Sequence, residues 1–232
     1  AQRRGAIDQL VPVARLAEAD LVIIAVPPAA VVETATQAAT VMREGAILTD
    51  VASTKQHIVA ELDTGLPGGV RYVGGHPMAG SAGHGPASAD AALLSGRPYL
   101  LTPTSRTDPD ALQTMRGLVE RLGMHPVLLT PADHDTLVAQ VSHMPYLVAV
   151  AAINAASADA LPLHGPAFAD VARVAASPTD LWVDICRTNR TAIKRALDGF
   201  RRELDRLERA LDEDVSLKNA LESSRRKAEE LS

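Results

Sequence analysis

The apolar run LVIIAV at residues 21–26 restricts the possible folds of this chain more than any other segment. A strand with one solvated face alternates apolar and polar residues, whereas a run that is apolar throughout is typical of a strand buried on both faces. A helical pattern follows at residues 29–42, and a second short strand candidate, AILTD, occupies residues 46–50. This order of strand, helix and strand predicts a parallel sheet covered by helices, as in a doubly wound α/β domain.

The alternation of strand and helix patterns continues to residue 130. VRYVGG at residues 70–75 and RPYLLTP at residues 97–103 supply two more strand candidates. A predicted helix between them and the last strand candidate, MHPVLLT, has Pro109 near its start and Gly123 at its end, which are the positions that these residue types favour. We therefore predict one α/β domain over residues 1–130.

Strand patterns stop after residue 130, and residues 131–232 are predicted to form a helical domain. The first helix has Thr130 as its N-cap and Pro131 in its first turn, and it is apolar on nearly all sides, which favours a buried central helix. Pro145 lies inside it and should kink it. Further helices are predicted at residues 167–176, 179–198, 200–211 and 215–231. Their apolar surface exceeds what one small helical domain can cover, so we expect a homodimer.

Composition limits the classes of partner. The chain of 232 residues has a net charge of −5 and one cysteine, and its basic residues alternate with acidic ones. This pattern lacks the one-sided basic face that nucleic-acid binding needs. No uninterrupted apolar run reaches eighteen residues, so no membrane span is expected. We expect a cytoplasmic protein with a small-molecule ligand and no metal.

Three unusual loops follow strand candidates: AVPP at residues 25–28, DVASTK at 50–55 and GGHPMAGSAGHG at 74–85. Ligands of open parallel sheets bind at the carboxyl ends of the strands, so these loops should meet in one crevice. Ser53 followed by Gln56 is a capping-box pattern, which predicts that a helix begins there. The same helix N-terminus would place the Ser53 hydroxyl and the Lys55 ammonium where they can meet ligand oxygens.

The third loop contains two histidines. Glycines next to His76 would let the backbone approach a ligand closely, which favours a functional histidine over a structural one. His84 lies further along the same loop, where a functional and a solvent-exposed position remain equal alternatives.

The helical half supplies four further candidates. His143 and Tyr146 are three residues apart on one helix face, where they form either a core pair or the polar wall of a ligand site. Arg173 is either a surface ion-pair partner or a reader of a substrate carboxylate. Trp182 follows a Ser-Pro break in the same region.

Six segments in this order resemble the prephenate/arogenate dehydrogenases of tyrosine biosynthesis: AVPP, DVASTK, GGHPMAGSAGHG, LLTP, ADHDTLVAQVSHMPY and ARVAASPTDLWVDI. The resemblance extends from about residue 5 to about residue 200. It implies a Rossmann-type NAD(P)-binding domain followed by a helical dimerisation domain. It also implies NAD, or NADP, as the cofactor, prephenate or arogenate as the substrate, and a homodimer.

The resemblance also implies roles for single residues. His76 would be the catalytic histidine that contacts the ring hydroxyl of the substrate, and Ser53 would lie between that hydroxyl and the nicotinamide. His143 would line the substrate pocket, Arg173 would bind a substrate carboxylate, and Trp182 would form part of the pocket wall. The implied reaction is an oxidative decarboxylation in which His76 is the general base.

The turns after the first two strands would contact the cofactor through Val26, Pro27 and Asp50, together with Ser53. The sequence departs from the family pattern at two positions: Ala82 stands where a glutamate is usual, and Tyr146 where a second histidine is frequent. Tyr146 remains a predicted substrate contact. The sequence also contains no GxGxxG, so we expect an N-terminally incomplete Rossmann-type sheet. Two alternatives to a prephenate dehydrogenase stay open, an arogenate dehydrogenase and a non-catalytic dimerisation or regulatory module.

Overall fold

The computed structural model describes residues 7–67, 69–80 and 88–230, and its first half is built around a five-stranded sheet. The strands are β1 (Leu21–Ile24), β2 (Ile47–Asp50), β3 (Arg71–Pro77), β4 (Pro98–Thr102) and β5 (His125–Leu128). The helices of this half are α1 (Val31–Ala39), α2 (Gln56–Gly65) and α3 (Pro109–Arg121). The helices of the second half are α4 (Pro131–Val138), α5 (Met144–Ala155), α6 (Pro166–Ala175), α7 (Thr179–Thr188), α8 (Arg190–Ala210) and α9 (Asp214–Glu229).

The strands lie in the order in which they occur in the chain. β1, β2 and β3 are parallel and so are β4 and β5, but β3 and β4 are antiparallel, with His76 opposite Leu100. The predicted parallel sheet is therefore confirmed at three strand pairs, and the β3–β4 pair departs from it. A parallel pair needs a crossover connection, usually a helix, and the described part of the β3–β4 connection contains one short 3₁₀ turn, Ala91–Leu93.

Helices cover both faces of the sheet, as predicted for a doubly wound domain. On one face, α1 and α2 pack against buried residues of β1 and β2, among them Leu48. On the other face, Met115 and Val119 of α3 pack against Val73 and Leu101. The ends of α3 are as expected, because Asp108 accepts a hydrogen bond from the Ala111 N–H (2.8 Å) and Gly123 has a positive φ of 72°.

The helical half begins as the sequence predicts. The Thr130 hydroxyl accepts a hydrogen bond from the Asp133 N–H (3.1 Å), and Pro131 occupies the first turn of α4. Just before Pro145, the helix widens into a π-helical segment, Ala139–His143, that joins α4 to α5. Proline removes one helical donor, and a π segment is one way in which a helix accommodates such an interruption.

Two predicted helix boundaries are wrong. The sequence predicts one helix over residues 179–198 and another over 200–211, but the break occurs at Asn189 and α8 runs through Gly199 without interruption. The Asn189 side chain donates to the Asp135 carbonyl oxygen (2.7 Å), so a tertiary hydrogen bond fixes the break. Glycine inside a helix costs only about 1 kcal/mol, which the rest of α8 outweighs.

The central helix is less buried than expected in a single chain. Tyr146 and Ala149 are the buried residues of α5, and Leu137 and Val141 are exposed. Taken with α4 and the π segment, the stretch Pro131–Ala155 is long and apolar enough to cross a membrane by length and composition alone. The expectation that no such segment exists was therefore too strong. This stretch nevertheless contains Asp135, which is buried against the α/β domain, and the same arrangement occurs in core helices of soluble proteins.

Candidate active site

A cavity of about 450 Å³ lies between the carboxyl edge of the sheet and the helical half. Its walls come from the loop after β2, the end of β3, the π segment, α6 and α7. Five residues that the sequence singled out line it: Ser53, His76, His143, Arg173 and Trp182. Two of the three loops that were expected to meet in one crevice, the loop after β2 and the loop that begins at the end of β3, line this cavity, whereas the AVPP turn borders a second cavity.

The backbone of β3 brings His76 to the cavity. Its neighbours Gly74 and Gly75 are needed for packing inside the sheet: a Cβ on Gly75 would lie 2.7 Å from the Tyr99 hydroxyl and 2.8 Å from the Asp50 carbonyl oxygen. We expected these glycines to make room for a ligand. The room beside Gly75 is instead filled by the two flanking strands, and that beside Gly74 by Thr102, Tyr72 and Val59 of α2, which fixes the end of β3 where His76 is attached.

A chain of hydrogen bonds leads from His76 into the protein. Its Nδ1 lies 2.9 Å from Nε2 of His134, and Nδ1 of His134 lies 2.8 Å from Oδ1 of Asp135. All three side chains are buried. Burial and the nearby Lys55 ammonium hold the pKa of His76 well below its usual value, and burial also lowers the pKa of His134. Both imidazoles are therefore neutral at neutral pH.

Sequence reasoning missed His134 and Asp135. Both lie in the first turns of α4, where the pattern ADHD reads as an ordinary capped helix start. The available signal was the distance of Asp135 from the candidate His143. The two are eight residues apart on one predicted helix, which places them near one face.

Asp135 also begins helix α2. Its two carboxylate oxygens accept the backbone N–H groups of Lys55 (2.7 Å) and Gln56 (3.0 Å). The capping box predicted at Ser53 is therefore wrong, because α2 starts at Gln56 and its cap comes from the other half of the chain. Ser53 is left free of that task and lines the cavity.

Lys55 does not face the cavity. Its side chain is fully buried, and its ammonium donates to Asp50 Oδ1 (2.6 Å) and to the carbonyl oxygens of Ala52 (2.7 Å) and Thr54 (3.1 Å). Burial lowers its pKa, although the Asp50 carboxylate opposes that shift. The expectation that this ammonium meets ligand oxygens is wrong, since the protein uses its donors internally.

Asp50 is buried as completely as Lys55. Besides Lys55, its carboxylate accepts hydrogen bonds from the Tyr72 hydroxyl (2.6 Å) and from the Ala52 N–H (2.9 Å), and the residue has no exposed surface. The predicted contact between Asp50 and the cofactor therefore has no support in this geometry. Asp50 instead neutralises Lys55 beneath the cavity floor.

His143 lines the cavity and has one ring nitrogen without a hydrogen-bond partner among the described residues. Burial lowers its pKa to about 4, so the ring is neutral, and the Asn189 amide lies 3.2 Å from its Nδ1. Because that amide nitrogen donates to Nδ1, the proton of the neutral ring resides on Nε2. This Nε2 is buried and has no partner among the described residues. A buried donor without a partner is costly, and a ligand oxygen in the cavity would satisfy it.

Trp182 lines the cavity and Tyr146 supports it from behind. The two rings are stacked with centroids 3.6 Å apart and an interplanar angle of 3°, and His143 meets the indole edge-on at 6.0 Å. Tyr146 is buried and is not part of the cavity wall. Its predicted substrate contact is thus replaced here by an aromatic contact that orients Trp182.

Arg173 lies at the cavity mouth on α6. Its side chain is 68% exposed, and its Nη2 lies 3.5 Å from Oδ1 of Asp170, one turn earlier on the same helix. Both interpretations of the sequence therefore apply, since the residue lines the cavity and also forms a surface ion pair. Such an exposed pair is worth little, so the guanidinium remains available to a carboxylate.

The turn after β1 lies at the same edge of the sheet. Val26 is partly buried and Pro27 is exposed. A second cavity of about 460 Å³ borders this turn at Pro28 and Ala29 and is also lined by Arg187 and Thr188. His84 and Ala82 lie outside the described residues. Within the described ranges, no group of three His, Cys, Asp or Glu side chains is placed to hold a metal ion.

Comparison with known proteins identifies the two halves. Residues 1–128 match the prephenate dehydrogenase nucleotide-binding domain, and residues 130–222 match the prephenate dehydrogenase dimerisation domain. The chain belongs to the prephenate dehydrogenase family. The Rossmann-like first half and helical second half of this family are the architecture seen here.

Relatives within the prephenate dehydrogenase family are moderately similar. The chain is 35% identical to the prephenate dehydrogenase of Bacillus subtilis, over 69% of this chain and 45% of that protein. It is 34% identical to the enzyme of Lactococcus lactis, over 89% of this chain and 59% of that protein. The chain thus spans about half the length of these relatives.

One solved structure of the family is similar over nearly the whole chain. It is the prephenate dehydrogenase of A. aeolicus in complex with hydroxyphenyl propionate and NAD⁺. It superposes with a TM-score of 0.89 at 29% identity, covering 99% of this chain and 84% of that one.

Proposed function

We propose that this protein catalyses the NAD-dependent oxidative decarboxylation of prephenate to 4-hydroxyphenylpyruvate. The observation that carries the proposal is the common cavity, in which a neutral buried histidine, His76, and an available guanidinium, Arg173, face the same space. A general base and a cation that binds a substrate carboxylate are the two groups that this reaction needs most. Membership of the prephenate dehydrogenase family supports the same assignment.

The carboxyl edge of the sheet fits a dinucleotide. Val26 and Pro27 offer partly exposed apolar surface after β1, Ser53 offers a hydroxyl after β2, and Arg187 offers a guanidinium in the adjoining cavity. Apolar surface suits a nicotinamide ring, and a guanidinium suits phosphate oxygens. We assign these residues to the NAD⁺ site. When bound, NAD⁺ supplies the acceptor for a hydride.

His76 acts as the base in the proposed reaction. Nε2 of His76 accepts the proton of the ring hydroxyl as the carbon–hydrogen bond breaks and its electron pair leaves as hydride. The carbon–carbon bond to the ring carboxylate then breaks, carbon dioxide leaves, and the electron pair makes the ring aromatic with a phenolate oxygen. The His76 imidazolium returns its proton to that oxygen. Base catalysis of this kind contributes roughly 10²–10⁴ in rate.

Arg173 and His143 hold the substrate during these steps. The guanidinium pairs with a carboxylate without competing for the hydroxyl proton, because its own pKa is far too high. The unpaired Nε2–H of His143 donates to a substrate oxygen inside the cavity. Trp182, fixed by its stack on Tyr146, covers the apolar ring face.

The cavity favours prephenate over arogenate. Arogenate carries an ammonium on its side chain, and a buried ammonium requires an anionic or carbonyl partner. Among the described residues that line the cavity there is no carboxylate, whereas Arg173 and His143 both suit anionic oxygens. A pyruvyl side chain matches this donor set better.

The assay is the appearance of NADH absorbance with each substrate in turn. We expect turnover with prephenate and NAD⁺, a lower kcat/KM with arogenate, and a 4-hydroxyphenylpyruvate product detected by chromatography. Turnover of neither substrate, by a protein that is folded by circular dichroism, would contradict the proposal and favour a non-catalytic module. Preference for arogenate would show that the substrate argument is wrong.

We also propose that the protein is a homodimer formed through its helical half. The second half is a dimerisation domain by family, and exposed apolar residues such as Leu137, Val141 and Val183 lie on its helices. Light scattering should give twice the chain mass of 24.4 kDa at micromolar concentration. A monomer mass across that range would exclude this assembly.

A further inference from the structure

The strongest unassigned feature is the hydrogen-bonded chain from His76 through His134 to Asp135. His76 and the cavity it lines belong to the proposed function, but nothing in that function uses the other two side chains. They lie on α4 of the helical half, whereas His76 lies on β3 of the α/β half. These hydrogen bonds therefore connect the two halves of the protein.

Asp135 is the hydrogen-bond acceptor at the inner end of this series of hydrogen bonds. Its oxygens accept the N–H groups of Lys55 and Gln56 at 2.7 and 3.0 Å, which leaves it as an acceptor toward His134 as well. A carboxylate that accepts backbone N–H groups has no proton to donate, so Nδ1 of His134 must donate across the 2.8 Å contact. In a neutral ring this leaves the lone pair on Nε2 of His134.

The same reasoning determines which nitrogen of His76 carries the proton. Because Nε2 of His134 is an acceptor, Nδ1 of His76 must donate across the 2.9 Å contact. The lone pair of neutral His76 then resides on Nε2. Nδ1 is occupied by His134 and the ring lines the cavity, so Nε2 is the nitrogen left for a ligand.

We propose that His134, held by Asp135, is a positioning residue that fixes the tautomer and the orientation of His76, so that the basic nitrogen faces the substrate. This inference rests on the proposed function for its consequence in catalysis. Its geometric part concerns only which nitrogen of His76 bears a proton. Histidine in water prefers the Nε2-protonated form, which would present a donor to the substrate hydroxyl and could not accept its proton.

The surrounding charges are consistent with this arrangement. His76 faces the Lys55 ammonium from the segment before α2, His134 from α4 and His143 from the π segment, and Asp135 contacts the far side of His134. The cation and the two neighbouring imidazoles disfavour a positive charge on His76 in its resting state. Asp135 is the anion that compensates, through His134, when His76 accepts the proton.

Two amide variants at position 134 form a matched pair. In His134→Gln, the amide oxygen reaches the place of Nε2 and can still accept from Nδ1 of His76. In His134→Asn, the shorter side chain reaches only the place of Nδ1, so the contact with His76 is lost. Asp135 is left unchanged in both, because its carboxylate also begins α2.

The tautomer is read directly by ¹⁵N–¹H correlation NMR of imidazole-labelled protein, with the His76 signals assigned from a His76→Asn sample. We expect His76 to be protonated on Nδ1 in the unaltered protein and in His134→Gln, and on Nε2 in His134→Asn. Nε2 protonation in the unaltered protein would overturn the proposal without any variant.

Kinetics with prephenate supply the second readout. We expect His134→Asn to lower kcat roughly 10²–10⁴-fold with KM changed less than about threefold, and His134→Gln to keep kcat within about tenfold. Equal losses in both variants would show a merely structural role for His134. If the unaltered protein has the expected tautomer but does not turn over prephenate, the positioning stands and the proposed function fails.

Discussion

Replacing Gly75 with alanine tests whether the end of β3 is fixed as tightly as the structure indicates. The new Cβ would lie 2.7 Å from the Tyr99 hydroxyl and 2.8 Å from the Asp50 carbonyl oxygen. Both distances are about 0.6 Å inside ordinary contact. Tyr99 can rotate slightly, but the Asp50 carbonyl belongs to β2, which is paired on both sides.

Overpacking of this kind costs about 1–3 kcal/mol, of which the smaller entropy of the unfolded alanine chain recovers about 0.4–1 kcal/mol. We therefore expect Gly75→Ala to lower the free energy of unfolding by about 1–2 kcal/mol. With a urea m-value of about 2 kcal/mol/M, the unfolding midpoint should fall by about 0.5–1 M.

Gly117→Ala is the matched control. Gly117 lies inside α3, and a Cβ added there would have nothing within 4 Å, so the same substitution should raise stability by about 0.5–1 kcal/mol. Urea unfolding of both variants and the parent is followed at one protein concentration. Equal midpoints for the two variants would refute the packing argument, as would a Gly75→Ala protein at least as stable as the parent.

The remaining predictions concern the cavity. His76→Asn keeps a polar side chain but removes the base, so turnover of prephenate should fall roughly 10²–10⁴-fold with KM changed only a few-fold; normal turnover would assign the base elsewhere. Arg173→Lys keeps the charge but loses the two-pronged geometry, so KM for prephenate should rise clearly more than KM for NAD⁺, and an unchanged KM would remove Arg173 from the substrate site. The folded pKa of His143 is about 4, below the ordinary 6.5, so its contribution to stability is complete above pH 6.5 and is lost as the pH falls toward 4. This contribution is on the order of 3 kcal/mol, and urea midpoints at several pH values should show a flatter pH dependence in His143→Gln than in the parent. A parallel dependence would show that His143 titrates normally.

The sequence predicts the parts of the fold that depend on local chemistry. The buried run of β1, the proline and glycine at the ends of α3 and the Thr130 cap each act within a few residues, and the structure contains them all. The antiparallel β3–β4 pair and the break at Asn189 depend on tertiary contacts, which no local pattern encodes. Ser53 shows the same limit, since a distant carboxylate replaces its expected capping role.

The candidate site was predictable where unusual residues stood in loops at strand ends. His76 and Ser53 were found in this way, and the family resemblance gave roles to Arg173 and Trp182, which the residues alone had left open. His134 was missed because its environment is assembled by two halves of the chain. Asp50 was misjudged because a carboxylate at a strand end looks the same in sequence whether it faces a ligand or a buried lysine.

The cap that Asp135 places on α2 has a consequence for how such proteins can be recombined. Helix α2 has no side-chain cap of its own in the α/β half, so a chimera joined near residue 130 inherits a working helix start only if the incoming helical half brings an acceptor at the position of Asp135. The loop that leads into α2 also holds Ser53 at the cavity. Exchange of whole domains between relatives should therefore succeed only where a carboxylate of the incoming half accepts the two backbone N–H groups at the start of α2. Overall sequence similarity between the exchanged halves should be a poor predictor of whether the chimera folds.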